Sequence, residues 1–528
     1  MSVKEACQRI VRRLIQVSNP DIIDLDRIRV EVCRELGVER IPGNAEVIRF
    51  LAPQESHLKT LLTRKRVRTI SGVCIVAVMT KPYPCPTPKP CLYCPGGPSV
   101  GLPQSYTGHE PAAMRGLQNK FNPFLQVRSR IAQLEAVGHR VDKVELIILG
   151  GTFTALPLRY QRWFVKRCLE AVIDEPSLNL GEVKVKAEGA RVKNVGVTVE
   201  TRPDWFKPTH VDRLLDLGVT RVELGVQTTY DEVYRLIERG HAVRDVVEAT
   251  QVAKDSGLSL IYHMMPNLPG SSLKMDRAMF KELFENPAFR PDALKIYPCL
   301  VLKGTRLHEK WLNGSYKTYN EEDLLKLLVD ITRLIPPYVR VQRVNRDIPS
   351  NLIEAGPKKS NLRQLLDERL VSEGLKCRCI RCREVGHIQL RYGVTPTLKD
   401  IRLKRLDYEA SEGQETFLSF EDVKQGILIA YLRLRTPSSK AHRPELIKSA
   451  VVRELHVYGP MLPVGEKPRV EWQHRRYGRR LLTEAERISL EELDIEKLMI
   501  LSALGVKGYY KRLGYSEDGV YVSKRLKI

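Results

Sequence analysis

The spacing of hydrophobic positions changes three times along the chain. Residues 1–58 carry apolar side chains at helical spacing, for example over 5–17 and 26–36, and predict short amphipathic helices. From Gly72 onward, short apolar runs rich in β-branched residues alternate with helical patterns. The apolar runs predict strands at 73–79, 144–149, 195–199, 222–226, 258–264 and 293–297.

Helical patterns separate or follow these strands, at 158–172, 209–217, 230–239, 243–256 and 321–334. Strands that alternate with helices are typical of a parallel β/α fold, either open or closed. The alternation stops near residue 345, and a new rhythm of strands and a basic helix begins beyond 407. We therefore predict an N-terminal helical segment (1–70), a β/α domain (71–345), a short joint (346–400) and a separate α+β domain (401–528).

The composition fits a folded, basic protein. The 528 residues include 86 Lys+Arg against 63 Asp+Glu, a formal charge of +23, with 43% hydrophobic residues. Such values exclude wholesale disorder, and the length allows two to four domains. No apolar run is long enough to span a membrane, and the N-terminus does not read as a signal peptide. We expect a cytoplasmic protein with a polyanionic partner.

Basic residues cluster in three places. The first patch, 59–68, contains Arg64, Lys65, Arg66 and Arg68 with no acid between them. The second surrounds the cysteines near residue 380, and the third lies at 475–480. A single basic patch is more often a solvated face, but three on a chain of this charge indicate a track for nucleic acid.

Three of the eleven cysteines, Cys85, Cys91 and Cys94, lie on a proline-rich loop after the first predicted strand. Three thiolates without a fourth nearby fit an iron–sulfur cluster with one open iron, which can chelate S-adenosylmethionine. The alternatives are a zinc site completed by a histidine such as His109, or thiols with no metal at all.

Polar residues follow two of the later strands, at the edge where β/α folds place their active sites. Gly150, Gly151 and Thr152 follow the second strand and allow the backbone to approach the methionine amino group. Glu200, at the end of the third strand, can accept hydrogen bonds from ribose hydroxyls. The alternative for Glu200 is an ordinary acidic residue at a strand end.

A second cysteine group lies in the joint. Cys377, Cys379 and Cys382, followed by His387, form a C-x-C-x2-C-x4-H pattern that predicts a structural zinc site. Cys299, a carboxylate or water could replace His387 as the fourth ligand. A second iron–sulfur cluster and thiols without a metal are the competing interpretations.

Near the C-terminus, a glycine-containing turn leads from a predicted strand into a helix, which aims backbone N–H groups at phosphates. The turn resembles the acetyl-CoA pyrophosphate loop of GNAT acetyltransferases. Gln473 and Gly478 fit the first and last positions of that motif, whereas Arg476 replaces its inner glycine. A basic surface helix is the alternative reading.

Several longer motifs carry a stronger resemblance. The segments CPGGP, QSYTGHEPAAMRG, VDKVELIILGGTFTALP, GVTVETRPD, ELGVQTTYDEV, HMMPNLPGS and LKIYP resemble the catalytic subunits of Elongator from about residue 60 to the C-terminus. This family combines a radical-SAM domain with an acetyltransferase domain. Its cysteine motif has a longer first gap than that of other radical-SAM enzymes, and here the gap between Cys85 and Cys91 is five residues.

The resemblance implies a fold and a set of cofactors. The fold is a radical-SAM partial (β/α) barrel, then a small metal-binding joint, then a GNAT acetyltransferase domain. The cofactors it implies are a [4Fe-4S] cluster, S-adenosylmethionine and acetyl-CoA, to which the second cysteine group adds the zinc predicted above. Carried over by motif, Lys143 and Tyr510 are the catalytic candidates, and both also contact acetyl-CoA. The remaining acetyl-CoA contacts are Glu454, Leu455, His456, Val457, Tyr477, Gly478 and Arg479.

The resemblance also implies a reaction. A 5′-deoxyadenosyl radical activates acetyl-CoA, and the product is 5-carboxymethyluridine at the wobble position of tRNA. The anticodon stem-loop and an electron donor are then partners, and the sequence is compatible with a homodimer or with accessory subunits. A protein lysine acetyltransferase is the alternative function, and a non-enzymatic tRNA-binding subunit is a third.

Overall fold

The structure is a computed structural model that describes residues 2–55, 57–63, 69–459, 472 and 475–526. The N-terminal helices enclose a hydrophobic core of their own. The first helix is capped by Ser2, whose side chain accepts from the Glu5 amide, and it buries Ile10 and Leu14. The helices of this unit are α1 (Val3–Gln16), α2 (Ile22–Leu36), α3 (Asn44–Ile48) and α4 (Leu58–Leu62).

A curled half-barrel follows. Within the described residues its sheet has seven strands in the order β1-β2-β3-β4-β5-β6-β8, and every neighbouring pair is parallel. The strands are β1 (Val73–Met79), β2 (Lys143–Leu149), β3 (Lys193–Thr201), β4 (Arg221–Gln227), β5 (Ser259–Met264), β6 (Ala293–Ile296) and β8 (Arg340–Val344). Among the strands that the structure describes, β1 and β8 each have a single neighbour, so the barrel is open.

Helices cover the outside of this sheet, which leaves central strands such as β4 buried along most of their length. The helices are α5 (Pro111–Gln118), α6 (Pro123–Ala136), α7 (Leu158–Ile173), α8 (Leu180–Gly189), α9 (Pro208–Asp216), α10 (Asp231–Leu236), α11 (Val243–Asp255), α12 (Leu273–Glu285), α13 (Arg306–Leu312) and α14 (Glu321–Leu334).

Short elements form the joint after the barrel. β7 (Val301–Leu302) pairs antiparallel with β9 (Ile353–Ala355). Three helices then lead to the C-terminal domain: α15 (Leu362–Ser372), α16 (Ile380–Arg383) and α17 (Val385–Tyr392).

The C-terminal domain contains a mixed sheet in the order β10-β11-β12-β13-β14-β16-β15. Its elements are β10 (Ile401–Ala410), β11 (Gly413–Asp422), β12 (Ile427–Thr436), β13 (Ala450–Val457), α18 (Tyr477–Arg487), β14 (Lys497–Ile500), α19 (Lys507–Lys511), β15 (Ser516–Asp518) and β16 (Tyr521–Arg525). β13 and β14 run parallel, but they pair only from Ala450 to Val452 on the β13 side. The rest of β13 therefore has no partner on that side among the described residues.

The barrel and the C-terminal domain share one continuous hydrophobic core. Buried ion pairs also cross the boundary: Arg435 binds Asp255 of α11 at 2.5 Å, and Arg453 binds Asp292 at 2.6 Å. The C-terminal unit has its own sheet, as the sequence pattern predicts, yet it packs against the barrel as part of the same interior.

The six strands predicted for the barrel are present, each within two residues of the expected bounds. The sequence pattern does not predict the seventh strand, β8, because only two of the five residues of RVQRV are apolar and they do not form a run. In the described part of the chain, no helix combines the length and apolar character that crossing a bilayer requires.

Candidate functional site

A single cavity of about 1270 Å³ runs through the half-barrel to the C-terminal domain. At one end it is lined by the three cysteines of the proline-rich loop, and at the other by β13 and the start of α18. Residues separated by hundreds of positions in the chain therefore face the same space.

The three thiols of the proline-rich loop each have a polar or charged neighbour. Cys85 contacts the Thr87 hydroxyl at 3.1 Å, and Cys94 contacts the Ser105 hydroxyl at 3.0 Å. The third thiol, Cys91, accepts from buried Arg239 at 3.5 Å. Donors around sulfur stabilise thiolates that bind iron, so these residues fit an iron–sulfur cluster.

Gly150 and Gly151 directly follow the last residue of β2 and form a tight turn there. Gly150 has φ +139°, and a Cβ on it would overlap the Thr80 hydroxyl. Its amide lies 3.4 Å from Glu200 Oε2, which also accepts from the Tyr106 hydroxyl at 2.7 Å. The predicted group Gly150, Gly151, Thr152 and Glu200 thus lines the cavity together with the cysteines.

β4 runs along the cavity from one end to the other. Alternate residues of this strand, Arg221, Glu223, Gly225 and Gln227, all line the cavity. Arg221, at the start of the strand, binds Glu454 of the C-terminal domain at 3.0 Å. Gln227, at the end of the strand, has a buried Oε1 with no hydrogen-bond partner among the described atoms.

A charged cluster that sequence reasoning missed lies midway along β4. Glu223 accepts from His263 Nε2 of β5 at 2.6 Å and from the Lys295 ammonium of β6. Burial acts to raise the pKa of Glu223, but Lys295 and His263 outweigh it and hold the pKa at about 2. The available signal was the presence of charged residues inside otherwise apolar strand patterns.

The C-terminal end of the cavity is built where β13 extends beyond β14. Glu454 binds Arg433 at 2.8 Å and His456 at 3.2 Å, and the predicted residues Leu455 and Val457 line the cavity on the same strand. Burial acts to raise the pKa of Glu454, but the hydrogen bond from His456 and the nearby arginines lower it overall. This carboxylate is therefore charged at neutral pH.

The start of α18 faces β13 across this end. Tyr477, Gly478 and Arg479 begin the helix and line the cavity. A Cβ on Gly478 would lie 3.2 Å from the Tyr509 hydroxyl and 3.4 Å from Val457. The close approach explains a glycine at this position. Gln473 of the same motif lies outside the described residues.

Lys143 and Tyr510 also reach the cavity. Burial lowers the pKa of Lys143, which lies at the first position of β2. Burial and the neighbouring Tyr509 raise the pKa of Tyr510, so its hydroxyl stays protonated and can donate a hydrogen bond.

In the joint, Cys377, Cys379 and Cys382 place their sulfurs within 4.8 Å of one another. Arg363 donates to Cys382 at 2.8 Å. His387 is not part of this group of sulfur atoms. Its Nε2 lies 3.0 Å from Glu384, which also binds Arg340. The zinc assignment, and His387 as its fourth ligand, stay predictions. Arg64, Lys65, Arg66 and Arg68 of the first basic patch lie outside the described residues.

Three family models match segments of this chain. They are the ELP3 N-terminal domain over residues 3–70, the Radical SAM superfamily over 85–283 and the Radical_SAM C-terminal domain over 291–372. The matches follow the helical unit, the half-barrel and the region after β5.

Curated relatives match nearly the whole chain. It is 48% identical over 535 residues to the tRNA uridine(34) acetyltransferase of Methanocaldococcus infernus, covering 99% of this chain and 100% of the relative. It is 43% identical over 528 residues to Elongator complex protein 3 of Homo sapiens, covering 98% of this chain and 96% of the relative.

A solved structure of archaeal Methanocaldococcus infernus Elp3 with an N-terminus deletion (1-46) superposes with a TM-score of 0.77 at 47% identity, covering 87% of this chain and 100% of that one. The fold and the sequence of this chain are therefore both similar to those of that protein. This chain belongs to the family of Elongator complex protein 3, whose core is a radical-SAM domain.

Proposed function

We propose that this chain converts the wobble uridine of tRNA to 5-carboxymethyluridine, using S-adenosylmethionine and acetyl-CoA. Family membership makes the chain an enzyme of tRNA wobble modification, a transferase, and its radical-SAM domain implies a [4Fe-4S] cluster and S-adenosylmethionine. The observation that carries the specific product is the single cavity that joins the three thiols to β13 and α18.

At the barrel end, Cys85, Cys91 and Cys94 hold the cluster. When bound, the cluster and S-adenosylmethionine supply a 5′-deoxyadenosyl radical. Gly150, Gly151 and Thr152 bring the backbone close to the methionine part of the cofactor. Glu200 orients the ribose, and Tyr106 holds the Glu200 carboxylate in place through its hydrogen bond.

At the other end, the part of β13 that extends beyond β14 and the N-terminus of α18 bind acetyl-CoA. Helix N–H groups and Arg479 suit the pyrophosphate, and Gly478 lets the ligand approach the strand. Glu454, Leu455, His456 and Val457 offer the adjoining strand surface. Lys143 and Tyr510 donate hydrogen bonds to the thioester carbonyl.

The overall conversion breaks one methyl C–H bond of acetyl-CoA and the C5–H bond of the uracil, and it joins these two carbons. S-adenosylmethionine would be the oxidant: its bond between sulfur and the 5′-deoxyadenosyl group breaks to leave methionine, and the 5′-deoxyadenosyl group takes the methyl hydrogen. The C5 hydrogen leaves as a proton, and the electron used for the cleavage is returned. Water then replaces coenzyme A at the carbonyl carbon and leaves a carboxylate. Both co-substrates must therefore reach one space, which a shared cavity allows and two separate sites would not.

Zinc at Cys377, Cys379 and Cys382 would stabilise the joint, with His387 as the proposed fourth ligand. Three thiols this close together are costly to keep as thiolates without a cation. Zinc analysis of the purified protein, compared with a Cys379→Ala variant, tests this assignment.

The partners follow from the reaction. The anticodon stem-loop of tRNA binds through phosphate contacts, for which Arg64, Lys65, Arg66 and Arg68 are the proposed residues. An electron donor is needed to reduce the cluster. One relative is named Elongator complex protein 3, which supports accessory subunits as partners. A homodimer is the alternative assembly.

The test uses anaerobically reconstituted protein with tRNA, S-adenosylmethionine, acetyl-CoA and a reductant, followed by mass spectrometry of the nucleosides. We expect 5-carboxymethyluridine from wild type and from Cys33→Ala, a cysteine buried in the N-terminal helices. We expect none from Cys94→Ala. Equal product from Cys94→Ala would exclude the radical route.

A protein lysine acetyltransferase would use only the C-terminal end of the cavity. That function predicts acetyl transfer to histone-like peptides that persists in Cys94→Ala and does not respond to tRNA. The same reconstituted protein, supplied with peptide in place of tRNA, separates the two functions.

A further inference from the structure

The cluster of Glu223, His263 and Lys295 has no role in the function described above. The three residues lie on adjacent strands of the barrel, and His263 and Lys295 are direct neighbours in register. Glu223 is 1% exposed, and its Oε2 receives both partners. Its Oε1 is buried without a hydrogen-bond partner among the described residues.

This cluster lies between the two ends of the cavity. Ligand atoms of Glu223, His263 and Glu200 lie within 4.8 Å of one another, which places the cluster next to the proposed ribose-binding acid. Two residues earlier on β4, Arg221 contacts Glu454 at the acetyl-CoA end. A uracil that reacts with the acetyl group between the two ends of the cavity would therefore lie close to Glu223.

The charges of the cluster define what it can bind. Glu223 is ionised, because Lys295 and His263 outweigh the effect of burial on its pKa. A buried carboxylate oxygen without a donor is costly, so a ligand N–H placed there would gain a charge-assisted hydrogen bond. A metal ion fits poorly, because the Lys295 ammonium already contacts the same carboxylate.

We propose that Glu223 and Lys295 read the Watson–Crick edge of the target uracil, with His263 positioning Glu223. Glu223 Oε1 accepts from the uracil N3–H, and the Lys295 ammonium, which has three N–H donors, donates to the carbonyl beside it. His263 holds Oε2 and so fixes the orientation of the carboxylate. This inference rests on the proposed modification of uridine.

The same arrangement rejects cytosine. Cytosine carries an acceptor at N3 and an amino group at C4, so both contacts would meet groups of the wrong kind. A site with buried polar groups that lose their partners discriminates strongly against such a ligand. Single-stranded loop bases are commonly read in this way, after they leave the stack.

The test compares the binding of anticodon stem-loops with uridine, 3-methyluridine or cytidine at position 34, by fluorescence anisotropy at one salt concentration. Wild type should favour uridine over both analogues by about 10-fold to 100-fold, the range of a good bidentate base contact. In Glu223→Gln and in the charge-balanced Glu223→Leu/Lys295→Met variant, the ratio of the affinity for the uridine stem-loop to that for each analogue should fall toward 1.

The double variant keeps the test informative, since an apolar pair of similar volume often replaces a buried ion pair without loss of stability. Glu248→Gln, an exposed glutamate on α11, is the matched control and should keep the wild-type ratio. A double variant that melts like wild type and retains the preference for uridine would overturn the proposal. Equal binding of all three stem-loops by wild type would also overturn it.

Product analysis separates this inference from the proposed function. Wild type that forms 5-carboxymethyluridine but binds the three stem-loops equally overturns the base-reading role alone. Wild type that prefers uridine but forms no modified nucleoside overturns the proposed reaction, while the preference itself supports the assignment of Glu223 and Lys295.

Discussion

Arg239 places a permanent positive charge beside a predicted cluster ligand. Arg239 is 8% exposed, and its guanidinium donates to Cys91 Sγ at 3.5 Å and to the Gly225 carbonyl. A cation at this distance favours the more negative, reduced form of an iron–sulfur cluster. We therefore expect Arg239 to raise the reduction potential of a cluster bound by Cys91, without binding iron itself.

Replacing Arg239 with Met should lower the midpoint potential of the cluster. The expected shift is on the order of 60 mV, which corresponds to a tenfold change in a one-electron equilibrium. An EPR-monitored redox titration measures it. Arg235→Met, a neighbouring exposed arginine, should leave the potential unchanged. An unchanged potential in Arg239→Met would show that its charge does not reach the cluster.

Gly150 is a position where one added carbon has a large effect. Gly150→Ala would force a Cβ into the Thr80 hydroxyl at a backbone φ of +139°. The shifted backbone would disturb the contact with Glu200, so we expect S-adenosylmethionine affinity to fall at least about tenfold, with a stability loss of about 1–3 kcal/mol. Isothermal titration and thermal unfolding measure the two effects.

Gly189→Ala is the control for this substitution, because a Cβ on Gly189 of α8 meets nothing within 4 Å. We expect binding and unfolding like those of wild type. If Gly150→Ala binds S-adenosylmethionine normally, the loop after β2 does not contact the cofactor.

At the scale of elements, the place where β13 extends beyond β14 forms the end of the cavity that we propose binds acetyl-CoA. The two strands pair over three positions only, and from there to Val457 β13 is paired with β12 but has no partner on its other side among the described residues. The start of α18 packs close to this part of β13, at Gly478. A strand surface beside a helix N-terminus is suited to the extended, phosphorylated ligand that we propose for this end of the cavity.

Gly478→Ala should narrow this cleft. Its Cβ would sit 3.2 Å from the Tyr509 hydroxyl, so either the helix or Tyr509 must move by a few tenths of an ångström. We expect acetyl-CoA affinity to fall about tenfold, or about 1.4 kcal/mol, with little change in melting temperature. Gly508→Ala, with 3.7 Å to the nearest side-chain atom, should bind acetyl-CoA normally in the same calorimetric titration.

At the scale of the whole molecule, buried charges fasten the C-terminal domain to the barrel. Arg435 donates to Asp255, which also accepts from Ser438, and all three are buried. Arg453 binds both Asp292 and Glu415. Such contacts hold the two ends of the cavity in fixed relation, because a shift of either domain would leave charges buried without partners.

Asp255→Asn should destabilise the protein by about 3–5 kcal/mol at pH 7, the cost of breaking a buried pair. Burial acts to raise the pKa of Asp255, but Arg435 and Ser438 lower it overall. The stabilising effect is therefore present above the ordinary pKa of about 4 and is lost as pH falls below it. The difference in melting temperature between wild type and variant should shrink below pH 4.

The exposed pair of Lys207 and Glu248 provides the comparison. Glu248→Gln should change stability by less than about 1 kcal/mol, since solvent screens this pair. A loss from Asp255→Asn no larger than that of Glu248→Gln would show that the interface charges do not join the domains.

Most of the barrel was predictable because each strand is a local apolar run between helical patterns. β8 could not be predicted in this way, since its sequence RVQRV contains no apolar run. The cysteine groups and the Gly150–Gly151 turn were visible for the same local reason. The Glu223 cluster was not, because its members lie on three strands and become neighbours only when the sheet forms.

The sequence by itself identified the family to which the chain belongs and the order of its β/α barrel and C-terminal α+β fold, and it predicts which thiols hold metal. All of these depend on residues close together in the chain. Only the tertiary structure decided that both halves share a cavity, through contacts such as Arg221 with Glu454. Such pairings depend on the packing of whole domains, because no short-range pattern specifies which distant side chains will meet.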